Sequence, residues 1–176
     1  GDPPTGSYSG QLVAEGAQDA EVSAGAPGLD VFWIDRDYLT VTGMSLKAGR
    51  AFTATDVKGG QDVTLIDERA ARQQWPGRDP IGQRIRISPY MPWATVVGVV
   101  GPIKTKWFAS PSGTIQAYFP LAQAPEMNRG RRSLIVRSTA DWRSTVESVR
   151  AAMRNVRPAL RVSGAAAVSD LYGPAY

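Results

Sequence analysis

Apolar residues of this chain gather in short runs broken by Gly- and Pro-bearing turns, until one longer stripe at helical spacing begins at Trp142. Residues 11–15 and 31–34 are short apolar or alternating stretches on either side of a Gly/Ala/Pro-rich connection, and each suits a strand. Asp35, Arg36 and Asp37 offer a helix start, with Tyr38, Leu39 and Val41 as its apolar side and Gly43 as its stop. Residues 63–66 read as a buried strand. Asp67 follows as a natural N-cap, because its carboxylate can accept from the free amides of a first helical turn, where Glu68 adds charge that the helix dipole favours. That helix must stop at Trp75: Pro76 disfavours helical geometry in the residue before it, and Gly77 supports a turn. Pro80, Ile81 and Gly82 form a second turn, after which Arg84, Ile85, Arg86 and Ile87 alternate as a half-exposed strand does. Residues 95–100 are nearly all β-branched and predict a strand in the middle of a sheet.

The pattern breaks after Pro102 into Ile103-Lys104-Thr105-Lys106-Trp107-Phe108 and a Ser/Pro/Gly loop. Aromatics beside lysines suit a contact surface, and equally a pair of rings that pins a long loop onto the core. Residues 117–121 and 133–137 are two more strand candidates. Trp142, Val146, Val149, Met153 and Val156 then recur on one side of a helix, with Arg143, Glu147, Arg150 and Arg154 on the other. Arg157-Pro158 ends that helix, and residues 160–163 return as a strand, completing a strand-helix-strand unit.

Composition narrows the chemistry. With 176 residues, 43% hydrophobic and 20% charged, the chain has the profile of a folded globular unit of one domain or two small lobes. It contains no cysteine and no histidine. Thiolate catalysis, disulfides, sulfur and imidazole metal sites and Ser-His-Asp chemistry are therefore excluded for these residues. No run reaches the roughly 18 to 20 apolar residues of a spanning helix, and no basic start precedes an apolar stretch, so the sequence predicts neither anchor nor signal peptide within it. Charge is uneven: eight acidic and four basic residues up to Gly60, against nine arginines with Asp141, Glu147 and Asp170 from Arg129 onward. Such an arginine-rich segment can meet an acidic partner or form a solvated helix face.

Catalytic constellations are weak. Val97-Gly98-Val99-Val100-Gly101 lacks the first glycine of a dinucleotide loop and runs into Pro102, so its glycines mark a bulge or close packing. There is no G-x-x-x-x-G-K-[ST], so these residues are not an ATPase. Asp35 with Asp37 and Asp67 with Glu68 are paired carboxylates, and Asp56 and Asp79 sit in turns, but local capping accounts for each. Ser45 and Lys47 lack the surroundings of a Ser-Lys dyad. Gly49, Arg50, Phe52 and Asp56 read as a stabilised loop: the glycine permits a tight backbone, Phe52 enters the core, and Asp56 caps or pairs with Arg50.

Three segments in order carry a resemblance: L-K-A-G-R-A-F-T-A-T-D at 46–56, T-L-I-D-E-R-A-A-R-Q-Q-W-P-G-R-D-P-I-G-Q-R-I-R-I at 64–87, and W-A-T-V-V-G-V-V-G at 93–101. Together they resemble the extracytoplasmic, or periplasmic core, domain of MacB/FtsX-type ABC transporter permeases, with Asp67 where that family often has Asn. The match spans roughly 31–121. It implies an α+β architecture of two lobes: a strand-helix-strand lobe and an inserted mixed, β-rich lobe. The segments would be 1–30 as linker and first-lobe strand, 31–125 as the inserted lobe, 126–170 as the rest of the first lobe, and 171–176 as a linker toward a membrane helix. Too little sequence precedes Gln11 to hold the whole opening of the first lobe, so a sheet edge is expected to be left open.

The resemblance also implies a non-enzymatic domain without cofactor or metal, on the extracytoplasmic side of a bacterial inner membrane. Its role would be substrate export or mechanotransmission powered by a separate cytoplasmic ATPase. Its partners would be membrane helices of the same permease chain, a separate ATP-binding subunit, and a second permease copy or a periplasmic protein, with no nucleic acid among them. Lys104, Lys106, Trp107, Phe108, Arg129, Arg131 and Arg132 are the candidate partner surface. Two other readings compete: a free-standing module that binds an acidic ligand through the C-terminal arginines, and an enzyme that works with carboxylates alone.

Overall fold

Strand β1 (Val13–Ala14) is followed by β2 (Leu29–Ile34), α1 (Tyr38–Thr42), β3 (Leu46–Gly49), β4 (Val63–Asp67), α2 (Glu68–Gln74), β5 (Arg84–Arg86), β6 (Ala94–Val100) and β7 (Ile115–Pro120). A 3-10 turn (Leu121–Gln123) and α3 (Trp142–Val156) complete the described elements. The structure is a computed structural model and describes residues 12–16, 28–101, 114–125, 133–156 and 164–167. Its seven strands join one mixed sheet in the order β1-β5-β6-β4-β7-β2, with β3 also on β6. β6 runs parallel to β4. It also takes two antiparallel partners in succession, β5 at Ala94 and Thr95 and β3 from Gly98 to Val100. β7 lies parallel to β2 and antiparallel to β4. The β-branched run of β6 thus occupies the interior of the sheet, where such side chains pack on both faces.

Both faces are covered, and the alternation of side chains sorts them into two cores. Val31, Ile66, Ile85, Val96, Ile115, Ala117 and Phe119 point into one cluster, closed by Ala70 and Trp75 from α2 and its C-terminal turn. Phe32, Ile34, Val63, Leu65 and Tyr118 point into the other, closed by Tyr38 and Leu39 of α1 together with Met44 and Phe52. Phe32 stacks on Tyr118 at 5.2 Å between ring centroids, and Tyr38 leans on the same ring at 6.4 Å. Such pairs add about 0.5–1.5 kcal/mol each beyond the area they bury. With both faces occupied, all six residues of β7 are buried, the polar Gln116 among them.

α1 keeps its predicted stop: Gly43 adopts φ 72° and its N–H reaches the carbonyls of Leu39 and Thr40. One strand was not expected, and one expectation is corrected. Leu46–Gly49 forms a strand although all four of its residues are exposed, so no hydrophobic alternation announces it. Residues 133–137 form no strand: Ile135 packs on the second cluster, Leu134 and Val136 are 64% and 46% exposed, and an apolar run with no partner strand among the described residues stays irregular. The expected strand at 160–163 lies outside the described residues.

Candidate functional site

The polar residues that punctuate residues 64–87 are committed to internal bonds. The Asp67 carboxylate accepts from the Ala70 N–H at 2.7 Å, which makes it the N-cap of α2. Burial pushes its carboxyl above the usual range, and this outweighs the bonds from the Ala70 and Gln116 amides and the fields of Arg69 and Arg72. Because Gln116 belongs to β7, this one carboxylate ties the start of α2 to the sheet. The Trp75 N–H closes the last turn onto the Ala71 carbonyl at 3.0 Å, and its indole is buried in the first cluster. Gly77 and Gly82 adopt φ of 71° and 82°, the region that favours glycine. The turn at 80–83 then docks on β6, with the Gly82 N–H donating to the Val96 carbonyl at 2.9 Å and the Val96 N–H returning to the Gln83 carbonyl at 2.8 Å.

The loop after β3 is held as firmly. Both terminal guanidinium nitrogens of Arg50 donate to Asp56, at 2.8 and 2.9 Å. The Thr53 N–H and hydroxyl donate to the same carboxylate at 2.7 and 3.0 Å. Burial alone would raise the Asp56 carboxyl, but these four bonds hold it below the usual carboxylate range. The expected pairing of Arg50 with Asp56 is thus present, and Phe52 is buried as expected. Gly49 and Gly98 explain why β3 can lie so close to β6. A Cβ on Gly49 would meet the Val97 carbonyl oxygen and stand 2.9 Å from Gly98 Cα, while one on Gly98 would meet the Arg50 carbonyl oxygen.

The remaining carboxylates act locally. Asp35 accepts from the Asp37 N–H at 3.1 Å and Asp79 from the Ile81 N–H at 2.9 Å. The Ser45 carbonyl accepts from the Gly101 N–H at 2.8 Å, which extends the pairing of β3 with β6. Among the described residues no three His, Cys, Asp or Glu side chains gather where they could hold a metal ion. A small recess of about 90 Å³ opens at the end of the first cluster. Trp33, Ile87, Met91 and Phe119 line it with Asp62 and Gln123. Gln123 is already occupied, accepting from the Val63 N–H and donating to the Gln61 carbonyl at 2.8 Å.

Sequence reasoning missed one surface group. The guanidinium groups of Arg84 and Arg86 lie 5.8 and 4.7 Å from the centre of the Trp93 ring, and Arg84 also pairs with Glu15 at 2.8 Å. The alternation of β5 put both arginines on one face; only the pairing of β5 with β6 brings Trp93 beside them. Lys104, Lys106, Trp107, Phe108, Arg129, Arg131 and Arg132, the candidate partner surface, lie outside the described residues. No helix among the described residues is long and apolar enough to cross a membrane.

The sequence model of the MacB-like periplasmic core domain matches residues 6–156. The macrolide export ATP-binding/permease protein MacB of Aggregatibacter actinomycetemcomitans is 29% identical over 120 residues, which are 66% of this chain and 18% of that protein. The protein of the same name from Mannheimia succiniciproducens is 27% identical over 89 residues, 49% of this chain and 13% of that one. The matched residues therefore span less than a fifth of the length of these relatives. The crystal structure of the periplasmic region of MacB from Actinobacillus actinomycetemcomitans superposes with a TM-score of 0.58 at 21% identity, covering 87% of this chain and 65% of that one. At that identity the likeness shows a common fold.

Proposed function

This chain belongs to the MacB-like periplasmic core domain family, and from that premise we propose that it is the extracytoplasmic part of an ABC transporter permease that takes part in export or mechanotransmission. The observation that carries this reading is the family match over residues 6–156, which contains all three motifs read from the sequence. The internal commitment of Asp56, Asp67 and Asp79 supports a role as a rigid body rather than as a reaction centre. In this reading the domain sits on the outer side of a bacterial cell membrane, moves with membrane helices of its own polypeptide, and is driven by a cytoplasmic ATPase on a separate chain. Its lobes are those of the sequence division, 31–125 as the inserted lobe and 126–170 as part of the first. A second permease copy or a periplasmic protein would meet it through the surface of Lys104, Lys106, Trp107, Phe108, Arg129, Arg131 and Arg132.

The parent polypeptide tests the proposal. It is expected to place a membrane helix upstream of residues 1–176 and several downstream, and to fractionate with membranes. A parent without membrane helices would overturn the permease reading. A phosphate-binding G-x-x-x-x-G-K-[ST] loop elsewhere in the same polypeptide would overturn the separate ATPase alone.

A further inference from the structure

We propose that the recess at the end of the first cluster binds a small organic cation, an alkyl- or arylammonium whose apolar group enters the recess and whose charge stops at Asp62. The site does not depend on the permease reading. Sheet register builds it. Val63 points into the second cluster, so alternation turns Asp62, one residue earlier, toward the first. Val63 pairs with Thr95, which sets Asp62 beside Ala94 of β6, while Trp33 and Phe119 face one another on β2 and β7. Ile87, Ala94 and Phe119 are buried and form the floor. Trp33, Asp62, Met91 and Gln123 are half-buried and form the rim.

Asp62 is the one charged side chain among the described residues of this lining. Asp35, Asp56, Asp67 and Asp79 all accept from N–H groups of the chain. Asp62 differs: among the described residues no donor reaches its carboxylate, while its main-chain carbonyl accepts from the Thr95 N–H at 2.8 Å. A carboxylate half out of water beside apolar side chains has lost hydration and gained no partner. An ammonium group supplies both the donors and the opposite charge. The Trp33 ring, stacked on Phe119 at 5.9 Å between centroids, adds an aromatic wall that also favours a cation. An anion would be repelled, and an apolar molecule would leave the carboxylate unpaired. Volume sets the size: about 90 Å³ is less than the roughly 150 Å³ that encloses a benzene, so a short branched chain or the edge of one ring fits. A lysine of a partner protein suits the recess less well. Its charge lies at the tip and would meet the apolar floor first, whereas a free amine leads with its apolar group and keeps its charge at the rim.

Isoamylamine, a cation at neutral pH, is the probe, and isoamyl alcohol is its neutral control. Each is titrated into the protein while the methyl signals of Ile87, Met91 and Ala94 are followed by NMR. The amine is expected to saturate these signals with a dissociation constant of about 1 mM, as suits a ligand of its size. No saturation by about 10 mM, or shifts confined to other residues, would overturn the site. Asp62→Asn keeps the shape of the side chain and removes its charge. It should weaken the amine about three- to tenfold and leave the alcohol within about twofold. An unchanged amine, or equal losses for both ligands, would overturn the pairing with Asp62. Added salt makes the same comparison in the unaltered protein, should the variant fold poorly: the amine should weaken and the alcohol should not, and parallel behaviour would overturn the pairing. Capped lysine, N-acetyl-lysine amide, should bind at least about threefold more weakly than isoamylamine. Equal binding would overturn the free-cation reading and assign the recess to a protein side chain.

Discussion

Gly49→Ala tests whether the close pairing of β3 with β6 holds the sheet together. Gly49 has φ 71°, where a side chain costs about 1 kcal/mol or slightly more. The new methyl group would also run into the Val97 carbonyl oxygen, the acceptor of the Arg50 N–H at 2.8 Å, and would approach Gly98 Cα to 2.9 Å. Backbone cannot swing aside as a side chain does, so overpacking adds about 1–3 kcal/mol. Gly77→Ala is the matched control: the same φ of 71°, but nothing within 4 Å of the new Cβ. It shares the conformational term and lacks the clash. Urea unfolding followed by fluorescence and circular dichroism should place Gly49→Ala about 1–3 kcal/mol below Gly77→Ala, at an unchanged slope. In a chain of this size that separates the thermal midpoints by roughly 2–12 °C. Equal midpoints for the two variants would refute the argument that the crossing requires glycine.

Four further outcomes follow from the same geometry. Asp67→Ala should lose about 0.5–2 kcal/mol with the cap, whereas Asp67→Asn keeps a capping oxygen. Because the folded Asp67 carboxyl is raised, its contribution is present below the ordinary carboxylate value and fades as pH rises through the folded one. Asp67→Asn should therefore gain on the wild type from about pH 4 to pH 7, and a variant that loses ground over that range in urea titrations would count against it. Asp56 runs the other way: its lowered carboxyl contributes above the ordinary value and loses that contribution as pH falls through the folded one, so Asp56→Asn should show a flatter stability curve below about pH 4. Trp75→Ala, which empties a site 4% exposed at the end of α2, should destabilise by about 3–5 kcal/mol in the same assay.

Local chemistry was the legible part of this chain. Asp67, Pro76, Gly77, Pro80 and Gly82 mark their turns through their own backbone preferences, and the helix, turn and strands they bound lie where the sequence put them. β6 was legible because a β-branched run suits a sheet interior. β3 was not, since Leu46, Lys47, Ala48 and Gly49 are all exposed and are held by glycine-to-glycine contact with a strand fifty residues away. Residues 133–137 carry a short apolar run that reads as a strand, but such a run does not provide the neighbour that makes one. The N-cap role of Asp67 was visible locally, whereas its raised carboxyl depends on burial that only the folded chain supplies. Trp93 and the two arginines beside it likewise meet only through the pairing of β5 with β6.

Protease access to intact cells tests the central claim most directly. Spheroplasts that express the full-length protein, tagged on the cytoplasmic side, are treated with trypsin from outside, which can cut at the exposed lysines and arginines of this domain. If the chain is the extracytoplasmic domain of a permease, the full-length band shortens to a tagged membrane fragment before lysis. A protein that stays whole until the membrane is broken, and is then cut within residues 1–176, would contradict the account.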